Sequence, residues 1–396
     1  MLIFNCMSLV QTSSKVRKGV VITVAVISLY IIFLMVKSPI RQMWYAFFPP
    51  ADLPTVAFGY LDPLEFTEAP IVSSVPEYVL NTPTGRLPTD LKTSLAVYKY
   101  VSPSFSFSEG KRAQQDAATL GFSDTMRVSD LSSDLFTWQD VQFGGNLKID
   151  TKTRTLELET PLANLGSLFP VGKFTQTNAV AAARSLLQKV NRFNDKLYTS
   201  DMRGYQEVRF GKFSGTRVVE VDSIPETQIA RVDFFRKILD FPILGPDPKQ
   251  GLLQVYLRGP ETKDAFPQLN FPHVRAYHWE INTGDSATYP LTPIETVWEQ
   301  ISQNNGAIVN VTPQGASPFE TPLATRVDRV LINEVYLAYY DNITPQQFLQ
   351  PVYIFEGNYT TGAGAFGSIT IYYPAVSSEY VRAPVNTQTP ASPGQL

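Results

Sequence analysis

An uncharged apolar run near the N-terminus limits what this chain can be more than any other feature of its sequence. The run covers eighteen residues, from Gly19 to Val36, and basic residues flank it on both sides: Lys15, Arg17 and Lys18 before it, Lys37 and Arg41 after it. Eighteen helical residues reach about 27 Å, close to the roughly 30 Å hydrocarbon core of a bilayer. The run therefore predicts one membrane-spanning helix.

Three other interpretations of the run fit less well. A cleavable signal peptide has a shorter apolar core and a small-residue cleavage site, whereas Lys37, Ser38 and Pro39 follow this run. A buried helix of a soluble domain rarely lacks polar residues on every side. A lipoprotein is disfavoured because Cys6 precedes the run and follows Asn5 rather than a small residue. We therefore expect an uncleaved signal anchor.

The charges on either side of the run predict its orientation. The N-terminal flank has three basic residues and no acid, while the C-terminal flank becomes acidic from Asp52 onward. Trp44 and Tyr45 follow the run and suit the headgroup layer. We expect a single-pass protein of the cell membrane, with a cytoplasmic N-terminus and an extracytoplasmic C-terminal part.

Composition excludes several kinds of chemistry. Beyond residue 41 the chain has 28 basic against 36 acidic residues, which argues against nucleic acid as a partner. Cys6 is the only cysteine, so thiol catalysis and cysteine-zinc sites are excluded from the C-terminal part. The two histidines, His273 and His278, fall on opposite faces of a strand. We expect no cofactor, no metal and no catalytic residues.

Helical spacing predicts three short amphipathic helices. The first begins at a capping box of Ser106 and Glu109 and ends at Gly121, and the second covers 178–190. The third has Thr292 as its N-cap and ends at 305–306. Each of these helices has one apolar face, which must pack on another apolar surface.

Alternating apolar residues predict the strands that supply this surface. Hairpins are expected over 146–159, 207–221 and 276–291, and further strands at 230–239, 252–257, 330–340, 351–355 and 368–373. Helices followed by antiparallel strands predict an α+β fold class, with tandem modules of short helices on antiparallel sheets.

The predicted domain order has seven parts. They are a cytoplasmic tail (1–18), the membrane anchor (19–36), a juxtamembrane extended segment (37–104), three helix-and-sheet modules (105–175, 176–291 and 292–382) and a disordered tail (383–396). The tail has no apolar periodicity, which is typical of disorder.

A glycine motif near the end of the chain has the spelling of a dinucleotide fingerprint. Gly362, Gly364 and Gly367 form G-x-G-x-x-G, but a strand is predicted after it, whereas pyrophosphate binding needs a helix N-terminus there. The motif therefore predicts a hairpin loop.

Two stretches of sequence resemble known bacterial surface modules. ARVDFFRKILDFPILGPDPKQGLLQVYLRG (230–259) and YPLTPIETVWEQISQNNG (289–306) resemble PepSY-like modules. LAYYDNITPQQFLQPVYIFEG (337–357) is similar to the closing strands of membrane-anchored accessory proteins of the YycI and YycH type. The resemblance implies one N-terminal membrane helix, an extracytoplasmic string of helix-on-sheet modules and a regulatory or binding role without catalytic residues.

Aromatic residues late in the chain provide candidates for a binding surface. The candidates are Tyr339, Tyr340, Tyr353, Tyr359, Tyr372 and Tyr373, for which packing within a sheet is the alternative. We expect a non-catalytic binding or regulatory protein that contacts another envelope protein or a cell-wall polymer. The alternatives are an envelope hydrolase with a carboxylate pair, such as Asp222 and Asp233, or a structural component of an envelope complex.

Overall fold

Strands dominate the part of the protein that the structure describes. The computed structural model describes residues 54–72, 75–101, 108–128, 134–172, 174–198, 205–222, 224–259, 266–277, 279–321 and 323–383. The strands, in chain order, are β1 (Ile71–Val72), β2 (Glu77–Leu80), β3 (Ser94–Tyr100), β4 (Arg127–Val128), β5 (Leu135–Gln139), β6 (Asn146–Asp150), β7 (Thr155–Glu159), β8 (Tyr205–Ser214), β9 (Arg217–Glu220), β10 (Ile229–Ile238), β11 (Phe241–Leu244), β12 (Leu253–Arg258), β13 (His273–Ala276), β14 (Ile281–Pro290), β15 (Ala307–Pro313), β16 (Thr325–Arg326), β17 (Arg329–Tyr340), β18 (Phe348–Thr360) and β19 (Phe366–Pro374).

Three α-helices accompany these strands within the described residues: α1 (Glu109–Thr119), α2 (Gln176–Lys189) and α3 (Ile294–Ser302). Helix α2 begins where the Thr175 hydroxyl accepts a hydrogen bond from the Asn178 backbone N–H at 3.1 Å. Helix α1 is followed by Gly121, whose φ of 88° favours glycine. Each helix buries one face, as its amphipathic spacing predicts.

The first sheet is antiparallel and has the strand order β4-β5-β6-β7-β13-β12-β10-β8-β9. Helices α1 and α2 pack on one of its faces, where small residues such as Ala117 and Ala183 meet Leu147, Leu158 and Val232 in a shared core. The opposite face of β8, β10 and β12 is more polar. That polar face forms one wall of the site described below.

The second sheet is built around β17, which pairs with β18 along its length and with β2 and β11 in parallel at its two ends. Strands β19 and β15 continue the sheet beyond β18. Helix α3 covers one face through Ile294, Val297 and Ile301. Strand β10 joins the two sheets, because Ile229–Phe235 pairs in the first sheet while Arg236–Ile238 pairs with β11.

A third ladder consists of β14, β3 and the start of β18. In it Tyr100, at the end of β3, is the register partner of Ile281, at the start of β14. The whole first sheet comes from the chain between these two residues, so it is inserted between two neighbouring strands of the ladder.

The fold class differs from the expected α+β class, because the structure is mainly β-sheet. The three helices have only 11, 14 and 9 residues. Segments expected to be extended or connecting, such as Ser94–Tyr100, instead pair into the sheets. The pairing partners of these segments are distant in sequence, and hydrophobic periodicity does not reveal them.

Most predicted strands are confirmed, and one predicted hairpin is wrong. The hairpins at 146–159 and 207–221 correspond to β6 with β7 and β8 with β9. The hairpin at 276–291 is absent, because β13 pairs with β7 and β12 while β14 pairs with β3. Its expected turn residues, 282–285, form a bulge in β14. Gly362 and Gly364 of the glycine motif lie in the loop of the β18–β19 hairpin, as predicted, and Gly367 lies in β19.

Of the two N-caps predicted for α1 and α3, the one for α3 is wrong, and the one for α1 lies outside the described residues. Helix α3 has Pro293 rather than Thr292 at its N-cap, and no side chain caps it. The carbonyl oxygen of Thr292 accepts a hydrogen bond from the Tyr353 hydroxyl at 2.8 Å, and its N–H donates to the Ala375 carbonyl at 2.8 Å. Ser106, the expected cap of α1, lies outside the described residues.

The predicted single-pass membrane topology and extracytoplasmic localisation are corrected by the helices of the structure. In the described ranges no helix is both long and apolar enough to cross a bilayer. The longest, α2, has 14 residues, and a span needs about 20. The residues expected to form the anchor and its flanks, 15–45, lie outside the described residues, as do the predicted cytoplasmic tail and most of the predicted disordered tail.

Candidate functional site

The first and second sheets enclose a groove of about 680 Å³, which we call the charged groove. Strands β8, β9 and β10 form one wall, and β15, β17 and β18 form the other. Two loops, 245–252 and 314–324, close its sides. Its lining includes five acidic residues (Glu207, Glu220, Asp247, Glu320 and Glu356) and four basic ones (Arg209, Arg217, Arg231 and Lys249).

Because successive side chains of a strand point to opposite faces, every second residue of β8 faces the groove. Tyr205, Glu207 and Arg209 follow one another at every second position of β8 and therefore share a face. Val208 and Phe210, on the other face, pack against the core beneath α1 and α2. The Tyr205 ring stacks on Phe235 of β10 at a centroid distance of 4.7 Å, so this end of the wall is held by packing.

Ion pairs hold the rim of the groove together. Arg209 contacts Glu207 at 3.4 Å and Glu220 at 3.3 Å, and thereby connects β8 with β9. The Arg217 Nε donates to Glu320 at 2.6 Å, which ties β9 to the 314–324 loop. These side chains are partly exposed, so each pair contributes little to stability and serves mainly to orient charge.

The floor of the groove contains a buried ion pair. The Arg231 Nε donates to Asp233 at 2.6 Å, and both side chains are almost fully buried. Asp233 also accepts from the Gly251 N–H at 2.9 Å and the Gln254 amide at 2.7 Å. Burial works against the charge of Arg231, yet the neighbouring Asp233 raises the pKa of its guanidinium above the usual range.

Arg231 also fixes both loops of the groove. Its guanidinium donates to the carbonyl oxygens of Pro318 and Lys249, the second at 3.1 Å. The Phe319 ring meets the edge of Tyr256 at a centroid distance of 5.5 Å, which packs the 314–324 loop on the first sheet. The loops are therefore held against the walls by specific contacts.

Asp247 organises the 245–252 loop. Its carboxylate accepts from the Lys249 backbone N–H at 2.9 Å, the Gln250 amide at 2.8 Å and the Asn310 amide at 2.9 Å. Asn310 belongs to β15, so this carboxylate joins the loop to the second sheet. The Lys249 amine extends from the loop to the Ser368 hydroxyl on β19.

The second wall carries a tyrosine and a carboxylate in contact. The Tyr336 hydroxyl donates to Glu356 at 2.8 Å. Burial, followed by the charge of Glu356, raises the pKa of Tyr336, so its hydroxyl keeps its proton at neutral pH. Burial lowers the pKa of the Lys249 amine, and the negative charges of Asp247 and Glu356 partly offset this effect.

The tyrosines expected to form a binding surface do not form one. Five of them are almost fully buried: Tyr339, Tyr340, Tyr353, Tyr359 and Tyr372. Tyr373 is partly exposed. Strands β17, β18 and β19 lie in the middle of the second sheet and are covered on both faces, so their rings pack within the fold. Packing, the alternative that the sequence left open, accounts for these five residues.

The candidate acids and histidines are not brought together. Asp222 is exposed after β9, whereas Asp233 is buried in its ion pair with Arg231. His273 is partly buried, its ring centroid lies 4.6 Å from that of Tyr256, and burial lowers the pKa of its imidazole to about 3. His278 lies outside the described residues. Across the described ranges no group of three or more His, Cys, Asp or Glu residues is placed to hold a metal ion.

Sequence reasoning did not find the charged groove. Its clearest signal is the YQEVRF segment of β8, where a strand alternates polar and charged residues with core residues. Such a face indicates solvent or a polar partner. The sequence does not show that the face of β8 lies opposite β17 and β18, more than 100 residues later.

Comparison with known proteins adds little to this picture. The chain matches no protein-family model and no curated protein. Among solved structures it is similar to an uncharacterised protein from Eubacterium rectale, with 9% sequence identity and a TM-score of 0.40 over 74% of this chain and 86% of the other. At this identity and score, the likeness defines neither the fold nor the function of the chain.

Proposed function

We propose that this protein is a non-catalytic binding protein whose charged groove holds a short segment of a partner protein, in a regulatory or scaffolding role. The observation that carries the proposal is the presence of five acidic and four basic side chains around one groove. A volume of about 680 Å³ lies within the range of roughly 300–1,000 Å³ typical of ligand sites.

The polarity of the lining favours a peptide over an apolar small molecule. Sites for small molecules are lined mostly by apolar side chains with a few polar groups. This groove instead offers charges of both signs, the amide of Asn310 and the hydroxyls of Thr312 and Tyr336. A peptide carries donors and acceptors along its backbone and charges of either sign on its side chains, so it can match such a surface.

The rigidity of the walls supports binding as well. The walls are strands of two sheets, and both loops are tied to them through Arg231, Asp247 and Glu320. A site whose side chains are already ordered loses less conformational entropy when a ligand binds. The carboxylates of Glu207 and Glu220 both contact Arg209, which supports an orienting rather than a catalytic role for them.

The test compares the native protein with a variant whose groove is filled. Gln314 lines the groove and is exposed, so Gln314→Trp should occlude it without disturbing the core. Gln142→Trp, exposed in the turn after β5, is the matched control. A randomised hexapeptide library is equilibrated with each protein, and bound peptides are identified by mass spectrometry.

The native protein and Gln142→Trp should enrich the same peptides, and Gln314→Trp should enrich them about tenfold less. Equal enrichment by all three proteins, or by none, would overturn the proposal. Soluble fragments of a cell-wall glycan form a parallel arm. Groove-dependent retention of the glycan fragments without retention of any peptide would replace the protein partner by a wall polymer.

A further inference from the structure

The charged groove contains one cation that forms no close ion pair with a carboxylate of the described residues. Arg209, Arg217 and Arg231 each form an ion pair with a carboxylate. Lys249 differs from them, because no carboxylate of the described residues lies within 4.0 Å of its amine. Its partner is the neutral hydroxyl of Ser368.

The position of Lys249 is determined by its backbone. The N–H of Lys249 donates to Asp247 at 2.9 Å, and its carbonyl oxygen accepts from Arg231 at 3.1 Å. Because the backbone N–H and the carbonyl oxygen of Lys249 are both hydrogen-bonded, the backbone is fixed, and the side chain extends from the loop to β19. The amine is therefore a placed group of the groove and not a mobile surface lysine.

The hydrogen-bonding capacity of this amine is only partly used. A lysine ammonium has three donors and no acceptor, and one donor is directed to Ser368. Lys249 is partly buried, so its charge has lost part of its hydration. An anionic group of a ligand placed beside the amine would form charge-assisted hydrogen bonds with it and so compensate for the hydration lost on burial.

The residues around Lys249 restrict which anionic ligand groups can bind its amine. The carboxylates of Asp247 and Glu356 act on the amine at longer range, and they would repel a bare anion such as phosphate. The same carboxylates can accept hydrogen bonds from donors on the ligand. The ligand group that fits has a single negative charge with N–H donors beside it, which describes the C-terminal residue of a peptide.

We infer that the charged groove captures the C-terminal end of a peptide chain, with the terminal carboxylate bound to the Lys249 amine. This inference rests on the proposed function of the groove and adds the part of the partner that is recognised. The groove then selects a chain end over an internal segment.

The experiment uses two acetylated hexapeptide libraries that differ only at the C-terminus, one with a free carboxylate and the other with a neutral amide. The full-length protein should enrich the free-acid library about tenfold or more over the amide library, because a charge-assisted hydrogen bond is stronger than a bond to a neutral amide. Lys249→Gln should lose this preference. Lys148→Gln, at an exposed lysine of β6, should keep it.

The outcomes separate the inference from the proposed function. Equal enrichment of both libraries by the native protein would overturn capture of the carboxylate and leave peptide binding in place. No enrichment from either library would overturn both. A preference for free acids that persists in Lys249→Gln would remove Lys249 from the site. The native protein alone decides the comparison of acid with amide, so the first two outcomes do not depend on the folding of a variant.

Discussion

Arg236 at the end of β10 and Asp341 just after β17 form an ion pair in which both side chains are almost completely buried. Asp195 contacts the same guanidinium at 3.0 Å, and the Tyr100 hydroxyl donates to Asp341 at 2.8 Å. The pair joins residues 105 positions apart in sequence and connects the strand shared by two sheets to the central strand of the second sheet.

Loss of the Asp341 charge should destabilise the protein strongly. In Asp341→Asn the buried Arg236 keeps Asp195 but loses its most buried partner, and removing one member of a buried pair costs about 3 kcal/mol or more. Urea unfolding measures the change. Asp62→Asn is the control, because Asp62 pairs with Arg382 on the surface and should lose less than about 1 kcal/mol. Similar losses in both variants would refute the special role of the buried pair.

The carboxyl of Asp116 should make stability depend on pH. Burial raises the pKa of Asp116 in α1 to about 6, whereas an unfolded aspartate titrates near 3.9. Between these values the folded state binds the proton more tightly, so this group lowers the free energy of unfolding as the pH rises from about 4 to about 6.

The difference of about two units between the folded and unfolded pKa values of Asp116 corresponds to at most about 3 kcal/mol in the free energy of unfolding. Urea midpoints of the native protein and Asp116→Asn, measured from pH 4 to 7, test the expectation. The native protein should lose stability relative to the variant as the pH rises. A difference that stays constant over this range would contradict it.

His273 should remain neutral in the folded protein under mildly acidic conditions. Burial, together with the positive charges of Arg275 and Arg231, lowers the pKa of its imidazole to about 3. An unfolded histidine titrates near 6.5, so the group adds stability at neutral pH that is lost as the pH falls from about 6.5 towards 3. The chain has only two histidines, so NMR of His278→Gln isolates the His273 signal. A titration midpoint near 6.5 would show that the imidazole is solvated.

A methyl group at Gly357 should disrupt the centre of the second sheet. A Cβ at this position of β18 would lie 2.0 Å from the Leu331 carbonyl oxygen, opposite the bulge of β17. Because the obstacle is backbone, Gly357→Ala should cost about 1–3 kcal/mol or more. Gly284→Ala, whose Cβ would come no closer than 3.5 Å to its nearest neighbour, should change stability by less than about 0.5 kcal/mol. Equal effects in thermal melts would contradict the steric argument.

Predictions from the sequence succeeded where the signal was local. Strand β17 was expected at 330–340 and covers Arg329–Tyr340, because alternating Val, Ile and Tyr residues suit a strand covered on both faces. Strand β10 was also expected, although its apolar residues fit a helix as well. The spacing of small apolar residues in α2 likewise predicted its buried face.

Predictions failed where a distant segment decided the structure. The residues at 282–285 have turn chemistry, but turn residues also form bulges, and the partner of β14 is Tyr100 and its neighbours rather than β13. Thr292 has the chemistry of an N-cap, yet its backbone is engaged by Tyr353 and Ala375. The charged groove lies between strands remote in sequence, so no local pattern could have placed it.

Tyr100 and Ile281 are register partners on neighbouring strands, so the chain leaves the third ladder at the end of β3 and re-enters it directly opposite, at the start of β14. The whole stretch between these residues is one excursion, and deleting or inserting it would require only one joint between adjacent strand ends. After excision β3 and β14 could be linked by a tight turn in their present register. Excision would remove every contact between this stretch and the second sheet, among them the pairing of β11 with β17 and the ion pair of Arg236 with Asp341. It would also remove the hydrogen bonds across the charged groove, such as those of Asp247 with Asn310 and Lys249 with Ser368.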